Sequence, residues 1–552
     1  MRNLVKIFLP LFFIVTVITG AVLPVNTEND IYNFLERMDN RGLVEDYSGI
    51  YLPLTRNEIV KYFKHINKSQ DRLSSIEKKL FRRYKSQYYR ELLEEKADSN
   101  PKTTIKFIND TTPISSIITR EIDQREQHLL EYSTPKEFIW GDIEASLANQ
   151  TKHKYTRQIV SGDFIFRAGI KDNFHGFLRF ENYLKFDNKK FDAPLEQEEG
   201  QMIQEELYFE NSQAGLGYSN NFMELGLYHQ PVLWGSSREN NLTLSNNGPH
   251  FPYFKFSTSI GFLDYSLIHG SLLNDSTGYE LDKVTLQNRD MSKNIAAQRF
   301  EITMFGGKTH LGFNEMVIYC NRTFEWKYVI PFSWYYPIET YLEEKDNLLF
   351  SLDLKSQLIK NTEIYSSIFF DELNFDKIGT ENWENRYAFQ FGLRYNSYIL
   401  QYPLNLQIEY TAVRPWTYTH QDFNNNYTHN RFGLGFSEGP NSQMIYFNAN
   451  TYFNHRIKLK LEYRNLYKGT NFADKHFGVE PTSNYENREK QYDNSTQLLM
   501  GKVLSKHEVK LVLRYEFWNE FYMYSGLRYL QEKLKGNINH NIYTEMKFQF
   551  NL

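Results

Sequence analysis

The carboxyl-terminal segment of the chain alternates strictly between two sets of positions, one mainly apolar and the other mainly polar. The apolar set is Ile542, Thr544, Met546, Phe548, Phe550 and Leu552, and the polar set is Asn541, Tyr543, Glu545, Lys547, Gln549 and Asn551. Because successive side chains of a strand point to opposite faces, this pattern predicts a β-strand with one apolar and one polar face. Such an ending is typical of a bacterial outer-membrane β-barrel, and an edge strand of a soluble sandwich is the alternative.

The same two-residue period begins near residue 103 and continues to the end of the chain. It recurs about eighteen to twenty times in segments of roughly ten residues, a length that crosses a hydrocarbon core when the strand is tilted. Clear examples are 404–410, 457–464 and 509–517, in which the polar set includes charged residues. An open sheet of this size would leave edges to protect, whereas closure removes them. We therefore predict that residues 101–552 form an antiparallel, all-β transmembrane barrel of about 18 strands.

The predicted strands are joined by connections of two kinds. Tight turns lie at Asn454-His455 and near Asn519-Glu520. Short turns on the periplasmic side and long loops outside the cell are typical of membrane barrels, so we expect the long connections to be extracellular. The long connections are 187–202, 272–296, 331–346, 414–442 and 467–494.

The amino-terminal residues 1–21 have the pattern of a cleaved secretory signal. Arg2 and Lys6 precede an apolar run at 7–18, and small residues follow at 19–21. The run is short and close to the terminus, which favours a signal over a spanning helix, although an uncleaved anchor is the alternative. We therefore predict export to a Gram-negative cell envelope.

Residues 22–100 are predicted to form a small α-helical periplasmic domain. Apolar residues between Ile31 and Met38 recur at the spacing of one helix face. Two later helices begin with a hydroxyl residue followed three positions on by a glutamate, the capping-box pattern. These pairs are Thr55 with Glu58 and Ser74 with Glu77.

Composition narrows the class of protein further. Mean hydropathy is −0.58, which excludes a polytopic helical membrane protein, whereas 16% of the residues are aromatic, as strands and interfacial girdles require. The net charge of −4 argues against nucleic acid as a partner. Cys320 is the single cysteine, so neither an internal disulfide nor a CxxC metal site can form. We expect no cofactor and no metal.

No catalytic motif is present in the sequence. The chain contains no GxSxG, HExxH, Walker or GxGxxG pattern. Asp264, Ser266 and His269 lie close together in the sequence, but their positions along a strand do not bring them together as a triad. We therefore expect a non-enzymatic protein, with a barrel-embedded hydrolase or acyltransferase as a remaining alternative.

Two segments, 228–252 and 411–442, combine aromatic residues with Arg, Asn and His. Aromatic faces stack on sugar rings, and the polar side chains hydrogen-bond hydroxyl and acidic groups. Gly, Pro and Asn in these segments are also explained by turns, and the aromatic residues by the girdle. The candidate polysaccharide contacts are Trp234, Arg238, Asn246, Asn247, His250, Arg414, Trp416, Tyr427 and His429.

The same two segments, together with the start of the helical region, resemble the Wzi-type family of capsule-assembly outer-membrane proteins. The residues that carry this resemblance are Trp234-Gly235 followed by 244–252, then 426–429, 433–435 and 439–442, and in the helical region 31–35, 42–43 and 53–56. The resemblance implies a barrel of about eighteen strands with a small periplasmic helical bundle and a filled lumen. It also implies a lectin-like surface protein that attaches or organises capsular polysaccharide without catalysis.

We accordingly expect three partners: extracellular polysaccharide, outer-membrane lipid, and the barrel-assembly machinery that inserts the protein. A porin-like channel for a polar solute would use the same barrel with an open lumen, and it is the principal alternative function. A β-protein outside the membrane is the remaining possibility.

Overall fold

A computed structural model of the chain describes most of its residues. The predicted signal segment at 1–21 lies outside the described residues, and so do the middle parts of two predicted long connections, 188–200 and 275–291. The described residues are 23–94, 104–107, 126, 128–134, 136–170, 173–187, 201–202, 208–220, 222–274, 292–342, 345–372, 375–377 and 379–551.

Eighteen long antiparallel strands form a closed barrel, which confirms the predicted fold. Each strand pairs with its neighbours in the chain, and the first strand closes the barrel by pairing with the last, where Ala145 lies opposite Phe550. The strands are β1 Glu137–Lys152, β2 Tyr155–Ile170, β3 Phe174–Asp187, β4 Tyr208–Ser219, β5 Met223–His229, β6 Pro252–Ile260, β7 Leu263–Leu272, β8 Lys293–Met304, β9 Thr309–Cys320, β10 Asn347–Ser356, β11 Thr362–Glu372, β12 Arg386–Ile399, β13 Tyr402–Val413, β14 Ser442–Tyr452, β15 Ile457–Thr470, β16 Lys502–Trp518, β17 Phe521–Leu534 and β18 Asn537–Asn551.

The orientation of the strand faces is the one that the alternation predicts. On β18 the apolar Ile542 is 50% exposed on the outer surface. On β13 Ile408 also points outward, whereas its neighbour Glu409 is 1% exposed and accepts a hydrogen bond from Asn240 inside the barrel. Apolar side chains therefore face the lipid, and polar side chains face the interior.

Residues 23–94 form the helical domain. Both predicted capping boxes are present, since the Thr55 and Ser74 side chains accept from the backbone of Glu58 and Glu77, whose carboxylates accept in return. None of the helices in the described part of the chain is long and apolar enough to cross a membrane. The helices of this domain are α1 Asp30–Asn40, α2 Arg56–Lys68, α3 Ser75–Gln87 and α4 Tyr89–Glu94, and α5 Tyr335–Tyr341 lies in the connection between β9 and β10.

The helical domain lies at the end of the barrel where the turns are short. Arg37 donates to the carbonyl oxygens of Ser397 and Leu404, at the hairpin of β12 and β13, at 2.9 Å each. Arg83 pairs with Glu516 at 2.6 Å, beside the turn between β16 and β17. Charged side chains thus hold the helices against the barrel. A cavity of about 1300 Å³ lies between the helices and the opposite wall.

Two long connections fold into the barrel from the other end. The first inward loop is residues 230–251, between β5 and β6, and the second inward loop is residues 414–441, between β13 and β14. Leu233-Trp234 in the first loop pairs as a two-stranded sheet with Tyr51-Leu52 of the helical domain. The helical domain and the inward loops therefore meet inside the barrel.

Candidate functional site

The two inward loops carry all the predicted site residues, and they pack against each other. The Tyr427 hydroxyl of the second loop donates to the carbonyl oxygen of Thr243 in the first loop at 2.8 Å. Tyr418 makes the equivalent bond to Leu242 at 3.0 Å. Because these phenolic groups are buried, each needs a partner, and the backbone of the opposite loop supplies it. The two loops therefore form one unit.

The predicted aromatic site residues lie inside this unit. Trp234, Trp416 and Tyr427 are all buried, and the Trp234 ring packs beside Tyr51 with centroids 5.9 Å apart. Trp416 has a left-handed backbone conformation (φ 68°) and lies against Gly478. Protein atoms cover the faces of these rings, so the three side chains position the loops. A stacking role on sugar stays a prediction.

Arg238 of the predicted site contacts the helical domain. It donates to Asn33 Oδ1 at 3.0 Å and to the Tyr47 hydroxyl at 3.3 Å, and it lies 3.7 Å from the carboxylate of Glu36. The guanidinium of Arg238 thus joins the first inward loop to the helices.

Arg414, the other predicted arginine, contacts backbone at the loop end of the barrel. It donates to the carbonyl oxygens of Asn382 at 3.3 Å and Thr496 at 3.0 Å. Its guanidinium also lies over the ring of Tyr387, 5.3 Å from the centroid. Arg414 therefore holds three connections together.

The four remaining predicted residues come together at the seam between the inward loops. Asn246, Asn247, His250 and His429 line a cleft of about 20 Å³, together with Phe432. Asn247 donates to the carbonyl oxygen of Gly433 across the seam at 3.1 Å. A volume of this size holds about one water molecule or one hydroxyl group. The cleft therefore has the dimensions of a single polar substituent.

The two histidines of this cleft are neutral at physiological pH. Burial, helped by the neighbouring His229, lowers the pKa of His250 to about 3. Burial, helped by Lys293, lowers the pKa of His429 to about 4. Since the asparagines carry no charge either, the cleft offers hydrogen-bond donors and acceptors without a net charge. That chemistry suits hydroxyl groups better than carboxylates.

A second group of aromatic and charged side chains was missed by the sequence analysis. The Arg488 guanidinium lies 3.8 Å from the ring centroid of Trp383, and Arg386 lies 4.5 Å from that of Tyr485. These residues come from connections about a hundred positions apart. The predicted loop 467–494 contains Tyr485 and Arg488. Their partners Arg386 and Trp383 lie outside that loop, so the loop sequence alone could not reveal the group.

Solved structures of other outer-membrane proteins resemble this chain. A solved structure of Wzi from Escherichia coli, described as a carbohydrate-binding β-barrel involved in group 1 capsule assembly, is 12% identical and covers 96% of this chain and 99% of its own, with a TM-score of 0.58. OpdK from Pseudomonas aeruginosa with vanillate is 8% identical over 75% of this chain and 98% of its own, with a TM-score of 0.44. No curated protein matches the chain.

The family model of the capsule assembly protein Wzi matches residues 144–527, well over half of the chain. The match spans most of the barrel and both inward loops, where the resemblance in sequence was seen. Together with the closed barrel and its apolar outer surface, it establishes the class and the location of the protein. The chain is an outer-membrane β-barrel that belongs to the Wzi family of capsule assembly proteins.

Proposed function

We propose that this protein retains capsular or other extracellular polysaccharide at the cell surface by non-enzymatic, lectin-like binding at the cleft between the inward loops. One observation carries the proposal: four of the predicted contacts, three in the first inward loop and His429 in the second, line a single cleft. Carbohydrate binding described for the Escherichia coli protein supports the same ligand class.

The chemistry of the cleft indicates which part of the polysaccharide enters it. Neutral amide and imidazole groups exchange hydrogen bonds with hydroxyl groups, and a space of about 20 Å³ admits one hydroxyl group and no sugar ring. The glycan would therefore lie across the loop surface with one substituent in the cleft and a ring against Phe432. Arg238 and Arg414 are engaged within the protein, so we assign them positioning roles.

The barrel fits one orientation in the outer membrane. Short turns are typical of the periplasmic side, which would place the helical domain in the periplasm and the cleft toward the outside. The apolar side chains on the outer face of β18 would contact the barrel-assembly machinery during insertion and lipid afterwards. Residues 22–100 would thus be the periplasmic domain, and the long connections would be extracellular.

A deletion strain tests the proposal. Without the protein, cells should lose cell-bound glycan while still secreting it, and a clean deletion with unchanged cell-bound glycan would contradict retention. Complementation with Asn246→Ala should restore less glycan than wild type, because losing one hydrogen bond of about 0.5–1.5 kcal/mol weakens binding roughly 2- to 12-fold. Asn487→Ala, at an exposed asparagine of another connection, is the matched control and should complement fully.

Conductance separates this function from the channel alternative. The helical domain and the inward loops meet inside the barrel through paired strands, so we expect wild-type protein in planar bilayers to form no stable pore. A stable pore with ohmic conductance would favour a channel for a polar solute.

A further inference from the structure

The connection between β9 and β10 folds over the outside of the barrel; we call its described residues, 321–342 and 345–346, the strap. Gln298 on β8 and Glu315 on β9 lie under it and are fully buried. By strand parity both point outward: Glu315 shares its face of β9 with the exposed Leu311 and pairs with Phe350, which shares its face with the exposed Leu352. The strap therefore covers polar side chains that would otherwise contact lipid.

The covered polar groups bind the backbone of the strap. Glu315 Oε1 accepts from the backbone N–H groups of Tyr335 at 2.9 Å and Tyr336 at 3.0 Å, at the start of α5. Gln298 Nε2 donates to the Ser333 carbonyl oxygen at 2.8 Å. A bilayer offers no water to such groups, so a non-helical segment at membrane depth needs its partners from the protein. The outer wall of the barrel supplies them.

The strap also extends well down the wall. The Phe332 ring stacks on Tyr265 with centroids 4.1 Å apart, and the Phe332 N–H donates to the Tyr265 hydroxyl at 3.0 Å. Tyr265 is the third residue of β7 counted from Leu263 at the short-turn end. Much of the strap therefore lies beside the membrane-spanning strands and not above them.

The outward surface of the strap is largely aromatic and aliphatic. Its most exposed large hydrophobic side chains, Trp326 and Tyr341, are each 75% exposed. Trp and Tyr concentrate at membrane interfaces, where an apolar ring and a polar tip are both accommodated. Together with those two, the exposed large hydrophobic residues of the strap are Phe324, Ile330, Phe332, Trp334 and Tyr336.

We propose that the strap is a membrane anchor whose outward side chains insert into the lipid of the outer membrane. We assign lipid as the molecule that contacts this surface. The surface is continuous with the apolar outward-facing side chains of the adjacent strands β9 and β10, whose Leu311 and Leu352 face lipid. The hydrogen bonds that Glu315 accepts from the strap backbone act as a latch, by which we mean that they hold the strap against the wall. The strap converts a polar patch of the barrel into a lipid-facing one and fixes the depth of this side of the protein.

Site-directed spin labelling tests this placement in the full chain. Cys320 is the single cysteine, so Cys320→Ser gives a background in which Trp326→Cys and Tyr341→Cys can each be labelled with a nitroxide. In proteoliposomes we expect collision with oxygen, which partitions into lipid, to exceed collision with a water-soluble nickel chelate several-fold at both positions. Two separate sites guard against a local effect of one substitution.

Matched positions calibrate the measurement. Phe391→Cys, on the outer face of β12, reports lipid, and Asn487→Cys, in an exposed connection, reports water. Strap labels that respond like Asn487→Cys would overturn the proposal. Strap labels shielded from both reagents would also overturn it, because protein, such as a second copy, would then cover the surface. Glu315→Leu should release the strap and increase label mobility at residue 326, and unchanged mobility would refute the latch.

Discussion

Arg37 is the side chain whose removal tests most directly how the helical domain is held to the barrel. It lies on α1 and is buried, and it donates to Glu77 Oε1 at 2.8 Å. It also donates to Asn405 Oδ1 at 2.6 Å and to the carbonyl oxygens of Ser397 and Leu404 at 2.9 Å. Arg37→Ala therefore removes one ion pair within the domain and three hydrogen bonds to the barrel at once.

The expected cost follows from what the substitution leaves behind. Glu77 is fully buried and would retain Arg41, at 2.7 Å, as its one arginine partner. Breaking a buried ion pair by removing one partner costs about 3–5 kcal/mol, because a buried charge is left undercompensated. At about 1.4 kcal/mol per factor of ten, the undocked fraction of the helical domain should rise roughly 140- to 3700-fold.

Hydrogen exchange in detergent micelles measures that fraction, since amides of α1 and α2 exchange when the domain opens. Their protection should fall by the stated factor in Arg37→Ala while strand amides keep theirs. Lys79→Ala, at an exposed lysine of α3, is the control and should change stability by no more than about 0.5 kcal/mol. Equal protection in the two variants would refute the reasoning.

The charge on Glu77 provides a second check. Burial raises the pKa of Glu77, but Arg37 and Arg41 outweigh burial and lower it below the ordinary 4.5. The stabilisation is therefore present above pH 4.5 and is lost as the pH falls below that value. If an undercompensated carboxylate causes the cost, Arg37→Ala combined with Glu77→Gln should lose less stability than the sum of the single variants.

Two further predictions concern a buried acid and a crowded glycine. Burial raises the pKa of Asp39 to about 7 from 3.8, although Lys355 opposes the shift. Helix docking should therefore weaken as the pH rises from 3.8 to about 7. In urea titrations at several pH values, Asp39→Asn should reduce the dependence of the free energy of unfolding on pH. Gly478 has φ 61°, and an added Cβ would lie 2.5 Å from Trp416 Cδ2, so Gly478→Ala should cost about 2–4 kcal/mol in the same titrations. Gly536→Ala, at φ 87° with open space, should cost only about 1 kcal/mol, and equal losses would contradict the crowding argument.

Local patterns in the sequence predicted local structure well. The alternation at 404–410 and 509–517 predicted strands, and the pairs Thr55–Glu58 and Ser74–Glu77 predicted helix starts that the structure contains. These features depend on residues within a few positions of one another, and the period of the side chains reveals them directly.

The candidate site was predictable in part. The sequence located both inward loops, but it could not reveal that Trp234 and Tyr427 are buried or that Arg238 contacts Glu36. Those contacts join residues close to two hundred positions apart. An aromatic or arginine residue in a loop has the same sequence signature whether it packs against protein or faces a ligand.

By itself, the sequence determined the class of protein. It is an exported chain whose alternating segments predict a barrel with an apolar outer surface. The tertiary structure decided which residues face outside molecules. Two loops turn inward, so their aromatic rings are covered by protein, and Asn246 and His429 meet at one cleft. The strap covers Glu315, on a face of the barrel wall that the alternation of side chains would otherwise expose to lipid. The physical reason is that burial depends on what the rest of the chain places above a residue, and periodicity contains no information about that.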